Sequence, residues 1–492
     1  MESGRLPDLP DIAQFARVYE RFMIAMAAHM GAGDSAIGDR LRNHLGADPA
    51  DLPTTRAEFP DTDHPNLQLG LDAVLAGAER IGYYAVDVGF GSVSLADLAR
   101  GRSAGGPITE GPVRFTDVEV ESGRVVRCVS AGIYLAAGPG GPAVVLIAHA
   151  ERPFGPRAIS IEIASPADEV PSAVLRDVRA AMRERNIYRG RCISLHLAPN
   201  ESVTVAFHAP EPVGREHIVL PAGTLERLER QSLGMAGQAP GLRRAGQDLK
   251  RGVLLHGPPG TGKTLCVSYL LGAMPGRTAV LLTGRSLGLI EQAVRIARDL
   301  EPATVVLEDV DLVAAERTMD FGDHGVLFEL LNQMEGLEGD ADLLFVLTTN
   351  RPDVIEPALA SRPGRIDLAL EIPLPDEATR RRLVKLYAGG FDLPDAAVAE
   401  VAARTDGVSG AFVKELMRQA MLRAALDGRE RAGSEDVGGA LDELLDERSA
   451  LTRRLLGQPA GPGGSLPDAP PSDHMLRAFE ATGIPLPPDL ET

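Results

Sequence analysis

The spacing of apolar residues changes character along this 492-residue chain. Residues 10–31 and 68–81 repeat apolar positions at helical spacing, with a Pro/Asp-rich stretch from Asp48 to Pro65 between them. From about residue 112 to 208 the pattern becomes short runs rich in β-branched residues. Val125–Val129, Ala143–Ile147, Ile159–Ile163, Cys192–Leu197 and Ser202–Phe207 read as strands, with turns at Gly138–Pro142 and Pro153–Pro156. Ala173–Glu184 interrupts them as a helix. This stretch predicts an α+β domain that carries no recognisable chemical motif.

Beyond a linker-like stretch at Glu211–Arg215 the pattern alternates. Val253–His256, Ala279–Thr283, Thr304–Leu307 and Leu343–Thr348 predict buried strands, and Thr264–Leu271, Leu289–Asp299 and Val326–Met334 predict the helices between them. Strand–helix alternation of this length implies βαβ units and a doubly wound parallel sheet. After Pro375 the chain reads as helical to about Arg448, with Asp376, Ser409 and Ser434 as N-caps. The expected domains are therefore a helical segment (1–65), an α+β domain (66–210), a large α/β domain (211–375), a helical lid (376–448) and a Pro/Gly-rich tail (449–492).

Composition narrows the class. Hydrophobic residues make up 44% and charged residues 24%, the balance of a globular protein. A net charge of −19 argues against a general nucleic-acid surface, which needs clustered Lys and Arg. Three separated cysteines form neither a disulfide framework nor a metal motif and fit a reducing compartment. No run approaches the ~20 apolar residues that span a bilayer, and the acidic N-terminus is unlike a secretory signal. A cytoplasmic location is the expectation.

The strongest chemical signal is Gly257-Pro258-Pro259-Gly260-Thr261-Gly262-Lys263-Thr264, set between a predicted strand and a predicted helix and followed by Leu265. The spacing G-x4-G-K-T is that of a phosphate-binding loop. Its glycines let backbone N–H groups converge on phosphates, and the helix start adds the positive end of its dipole. Lys263 is expected to reach the β- and γ-phosphates of ATP, and the Thr264 hydroxyl to ligate Mg2+. A second strand ends in acids, Glu308-Asp309-Val310-Asp311, and a third ends in Thr348-Thr349-Asn350. At the carboxyl edge of an open α/β sheet such groups face the ligand crevice.

Together with Thr349–Asp367, including Arg362-Pro363-Gly364-Arg365, and with Gly407-Val408-Ser409-Gly410-Ala411, these motifs resemble the AAA+ ATPases. Within them, the likeness is to the AAA subgroup of ring-forming protein remodellers. It covers roughly residues 212–447. By this resemblance Glu308 takes the magnesium-side role, in part through water, and Asp309 polarises the attacking water. The family's usual order at these two positions is Asp-Glu, so the pair is reversed here, and slow turnover is the expectation. Asn350 is expected to sense the γ-phosphate. Arg362 and Arg365 are expected to reach the nucleotide of the neighbouring subunit in a ring, by family resemblance a hexamer, without a decision as to which is the finger. Backbone near Gly410 and Ala411 would pack on the base side.

The segment Gly284–Ile290, where threading members of the family carry an aromatic grip, contains no aromatic residue. Three functions stay open: an ATPase remodelling a protein client through residues 1–210, a nucleotide-gated assembly module with little hydrolysis, and a nucleic-acid-directed machine. The acidic charge disfavours the last.

Overall fold

The computed structural model describes residues 35–85, 93–150, 158–198, 202–311, 341–353 and 366–455, together with Val18 and apart from isolated positions at 104–105, 122, 139 and 210. Of the expected elements, the helix at 10–31 (Val18 apart), the Pro153–Pro156 turn, the helix Val326–Met334, both arginines Arg362 and Arg365, and the tail beyond 455 lie outside these residues. The chain divides into two units, Met1–Pro373 and Leu374–Thr492.

In the first unit, an antiparallel sheet runs in the order Thr54–Pro60, Ala158–Ala164, Gly141–Ala150, Arg124–Gly138, Glu79–Tyr84, Thr109–Gly111, and Arg114–Glu121 pairs separately with Arg124–Gly138. Apolar residues on both faces give it two cores. Helices His64–Val74 and Glu169–Glu184 bury Leu67, Leu71, Leu175 and Val178 against Val145, Ile147, Ile159 and Ile161. Helices Ala36–Leu45 and Leu95–Arg100 cover the other face with Ile37, Leu41, Leu95 and Leu98 against Ile133, Val144 and Leu146.

Two sequence expectations change here. The chain before residue 65 is not a helical segment apart, since Thr54–Pro60 is an edge strand paired along Ala158–Ala164. Its short alternating pattern is hidden among Pro and Asp, and only the partner strand reveals it. The helix expected at 68–81 starts earlier, at His64, and ends at Val74, because Gly77 turns the chain at φ 83° into the strand Glu79–Tyr84.

A second sheet follows the order Val203–His208, Cys192–Leu197, Thr278–Thr283, Ala303–Glu308, Leu343–Thr349, Arg251–His256, Leu368–Glu371. Every pair is parallel except the first. Its central strands are buried on both faces, and successive residues alternate between two cores. Val305, Leu307, Phe345 and Leu347 meet the helix Ile290–Asp299 through Ala293, Val294 and Ala297. Val253, Leu255, Val306 and Val346 meet the helix Lys263–Ala273 through Cys266, Val267 and Leu270. This is why the strands read as unbroken apolar runs rather than alternating ones.

The boundary expected at residue 210 also moves. Cys192–Leu197 and Val203–His208 belong to this parallel sheet, as a hairpin added beside Thr278–Thr283. A strand's sequence does not state which neighbour it pairs with. The two sheets are joined through the segment ahead of the hairpin. Asn66 Oδ1 accepts from Ile187 N–H at 2.9 Å, and the Tyr188 hydroxyl donates to the Thr62 carbonyl.

Burial at this junction pushes the Asp63 carboxyl up to about 6, with Arg295 opposing the shift and Asp299 adding to it. A folded-state value above the unfolded one means that the folded protein binds this proton more tightly. The associated stability is present below about pH 4 and is lost as pH rises through 6. Asp63→Asn is therefore expected to stabilise the protein by about 1–2 kcal/mol at pH 8, after discounting for water that still reaches the group, and by almost nothing at pH 4. Denaturant melts at both pH values check this, and an equal effect at both would refute it.

Among the described residues the second unit contains four helices, Glu377–Tyr387, Asp395–Arg404, Gly410–Leu426 and Ser434–Leu455. Asp376 and Ser409 cap the first and third, accepting from Thr379 N–H at 2.7 Å and Phe412 N–H at 3.3 Å. The last helix runs past the expected end at 448 to Leu455, because good helix formers continue until the Gly/Pro-rich stretch. Among the described residues no helix is long and apolar enough to cross a membrane.

Candidate nucleotide site

The strand Arg251–His256 delivers the chain into the loop, which closes onto the helix Lys263–Ala273. Gly257 adopts φ 138°, and a Cβ there would lie 2.3 Å from the Ile372 carbonyl oxygen, so only glycine fits. Gly262, at φ 107°, is the N-cap of the helix and supplies no side-chain cap. The first-turn amides are thus left to bind an anion, as in other phosphate loops.

Lys263 is buried at 6% exposure, an unusual position for a lysine. Its Nζ donates to the carbonyls of Gly257 at 2.8 Å and Pro258 at 2.9 Å, which curls the side chain back over the loop. Burial lowers its pKa, while Asp309 and Asp311 act in the opposite direction. The Thr261 hydroxyl closes the turn onto the Pro258 carbonyl at 2.9 Å.

The strand order sets the acids and the asparagine beside this loop. Leu343–Thr349 lies directly between the loop strand and the strand Ala303–Glu308. Their C-terminal ends therefore present Glu308, Asp309 and Asn350 next to one another. Burial raises the Glu308 pKa, with the neighbouring Thr264 side chain opposing the shift and Asp309 adding to it. Thr264 and Glu308 form the hard-oxygen pair that Mg2+ prefers. The open helix start, the buried lysine and this oxygen pair fit a magnesium–nucleotide complex.

Asp309 sits at φ 51°, the only non-glycine residue with positive φ among those described. Asp is one of the few L-residues that tolerate this left-handed region. Its N–H donates to Thr348 Oγ1 at 3.0 Å, and its Oδ1 accepts from Asn350 Nδ2 at 3.2 Å. The reversed Glu308-Asp309 order therefore places the residue better suited to left-handed backbone at the left-handed position.

Some of the site was not legible as function. Asp311 is buried, and its Oδ1 accepts from both Thr349 Oγ1 at 2.8 Å and Asn350 N–H at 3.1 Å. Thr348 clamps the Asp309 backbone, while Thr349 Oγ1 also accepts from Arg351 N–H at 2.9 Å. The signal available was a pair of threonines ending an otherwise apolar strand, and an acid two residues after Asp309. Gly284–Leu289 is a tight helical turn leading into the helix Ile290–Asp299, and Leu287, Leu289 and Ile290 are core residues, so these apolar side chains are not exposed. Gly410 and Ala411 begin the helix capped by Ser409 in the second unit.

A phosphate loop, with acids and an asparagine on adjoining strand ends of a parallel sheet, defines a nucleoside-triphosphate-binding domain of the phosphate-loop class. Residues 253–374 match the model of the ATPase family associated with various cellular activities (AAA), and the chain carries an AAA+ ATPase domain. Over 209 residues the chain is 34% identical to the proteasome-activating nucleotidase of Methanothermobacter thermautotrophicus, covering 40% of this chain and 51% of that protein. Over 227 residues it is 34% identical to the ATP-dependent zinc metalloprotease FtsH 2 of Sphaerobacter thermophilus, covering 43% and 34%. Proteasome-activating nucleotidase 1 of Halobacterium salinarum is 32% identical over 233 residues, covering 44% and 57%. The chain thus spans about half the length of the nucleotidases it matches, and about a third of the metalloprotease.

Proposed function

We propose that the protein is a Mg-dependent ATPase that assembles into a ring and uses ATP turnover to remodel a protein client in the cytoplasm. The observation that carries this reading is the meeting of the Lys263–Thr264 helix start with Glu308, Asp309 and Asn350 at the ends of neighbouring strands.

In this reading the loop amides and Lys263 hold the β- and γ-phosphates, with Gly257 to Leu265 forming the cradle. Thr264 and Glu308 position Mg2+, which neutralises charge on the phosphates when bound. Asp309 accepts a hydrogen bond from the attacking water and takes up its proton. Asn350, already bonded to Asp309, orients the same water and senses the γ-phosphate. Arg362 and Arg365 would stabilise transition-state charge from a neighbouring subunit, and Gly410 and Ala411 would border the base. These last four assignments rest on family resemblance.

The experiment is a capture of clients on the hydrolysis-blocked variant Asp309→Asn in the presence of ATP, with assembly followed by light scattering. The reading expects ATP-dependent assembly, and a protein retained by the variant and released by the wild type. Assembly without appreciable turnover in the wild type would favour the nucleotide-gated module instead. Stimulation of turnover by DNA would favour the nucleic-acid machine.

A further inference from the structure

We propose that His196 and His208, gathered around Ser194 on the hairpin of Cys192–Leu197 and Val203–His208, form a two-histidine site for Zn2+ or a divalent cation of like chemistry. The pairing of the hairpin builds the site. Ile193 and Leu195 belong to the core on one side of the sheet, with Val203, Val205 and Phe207 packed against it. Side chains alternate along a strand, so Ser194 and His196 from one strand and Ala206 and His208 from the other share the opposite face. Ser194 stands opposite Ala206 in register, and one histidine leans in from each end of that face.

The distances identify what the two rings share. His196 Nε2 lies 2.7 Å from Ser194 Oγ, and His208 Nε2 lies 2.6 Å from the same oxygen. Three donor atoms from two strands thus converge on one small triangle. The hydroxyl has a single proton, so it donates to one imidazole and accepts from the other. A cation capping the triangle replaces that shared proton. Zinc takes imidazole nitrogen at about 2.0–2.1 Å, which sets tetrahedral donor atoms roughly 3.3–3.4 Å apart. Each ring therefore draws back from the hydroxyl by about 0.7 Å, a movement within reach of side-chain rotation alone.

The donors narrow the ion. Neutral imidazole suits Zn2+, Cu2+ and Ni2+, whereas Mg2+ takes oxygen ligands. The site thus differs in kind from the oxygen pair of Thr264 and Glu308. Ser194 is buried at 7% exposure while both histidines are exposed, so an ion reaches the nitrogens from solvent. His208 also lines a cleft of about 370 Å³ with Cys192, Leu271 and Met274, which leaves space for water ligands. Among the described residues no group of three or more His, Cys, Asp or Glu side chains is placed to hold a metal. The donor set is therefore two imidazoles and the hydroxyl, completed by water, and Cys192, opposite His208 in register, is not counted in it. Such a chelate would staple the two strands of the hairpin beside Thr278–Thr283. This binding does not depend on ATP hydrolysis, and its success or failure is separable from the proposed activity.

The test titrates Zn2+ into the full chain by calorimetry, with millimolar Mg2+ present to occupy oxygen sites. One ion per chain is expected, and His196→Ala and His208→Ala are each expected to weaken its binding at least tenfold. Both variants are expected to bind a fluorescent ATP analogue as the wild type does, which shows that they are folded. Cys192→Ser is expected to keep the zinc affinity within threefold. Zinc is also expected to raise the Tm of the wild type more than that of either histidine variant, because an ion that binds only the folded state stabilises it. Absence of zinc binding up to about 100 µM, in protein that still binds nucleotide, overturns the proposal and leaves the cluster a hydrogen-bonded brace. Zinc binding that survives either histidine substitution, or that is lost in Cys192→Ser, also overturns it by placing the ion on other donors.

Discussion

Lys263→Ala is expected to weaken ATP binding by about 100-fold or more. A charge-assisted hydrogen bond contributes roughly 1.5–3 kcal/mol, and about 2.7 kcal/mol is a factor of 100 in affinity. The lysine ammonium lies 2.8 Å from the Gly257 carbonyl and 2.9 Å from the Pro258 carbonyl, inside the loop itself. Alanine removes the cation and also leaves those two carbonyls without this donor, so loop order and phosphate affinity fall together. Calorimetric titration with a non-hydrolysable ATP analogue measures the loss. A change of threefold or less would remove Lys263 from the phosphate site.

Asp309→Asn gives the second large effect, on turnover rather than on binding. Loss of a general base typically lowers the rate by ~10²–10⁴-fold, and a fall in kcat within that range is expected with nucleotide affinity nearly unchanged. Asparagine tolerates the left-handed backbone at φ 51° as aspartate does, and its side-chain oxygen can still accept from Asn350. The substitution therefore isolates the missing carboxylate. Asp309→Glu is the complementary test: it keeps the charge but places a longer side chain where the backbone favours Asp, at a cost of order 1 kcal/mol in strain. Steady-state phosphate release, read beside analogue binding, checks both variants. Unchanged turnover in Asp309→Asn would mean that another group activates the water.

These predictions locate where the reversed acidic pair matters. Glu308 stays in the strand, paired in register with Thr283, and lies beside the Thr264 side chain. Asp309 has left the strand and is fixed from three sides, through its backbone to Thr348, through its side chain to Asn350, and by its own left-handed turn. Asp311 supports the far side of Asn350 by accepting from its N–H and from Thr349. The site is thus a hydrogen-bonded bridge between two strand ends, with the lysine loop beside it.

The sequence by itself determined the loop, its lysine and threonine, the acids and asparagine that end apolar strands, and the alternation that makes the sheet parallel. These signals are local. A run of apolar residues buried on both faces needs no partner to be recognised, and a glycine-rich turn between strand and helix carries its own backbone requirement, as Gly257 against Ile372 confirms. Only the tertiary structure decided which strands are neighbours. It placed the Asn350 strand between the other two, assigned Cys192–Leu197 and Val203–His208 to the ATPase sheet, and drew Thr54–Pro60 into the preceding one. It also gave Asp311, Thr348 and Thr349 their work. The physical reason is that strand pairing and polar bridging are contacts between residues distant in the chain: Asp311 and Thr349 are 38 positions apart, and no spacing along the sequence encodes that they meet.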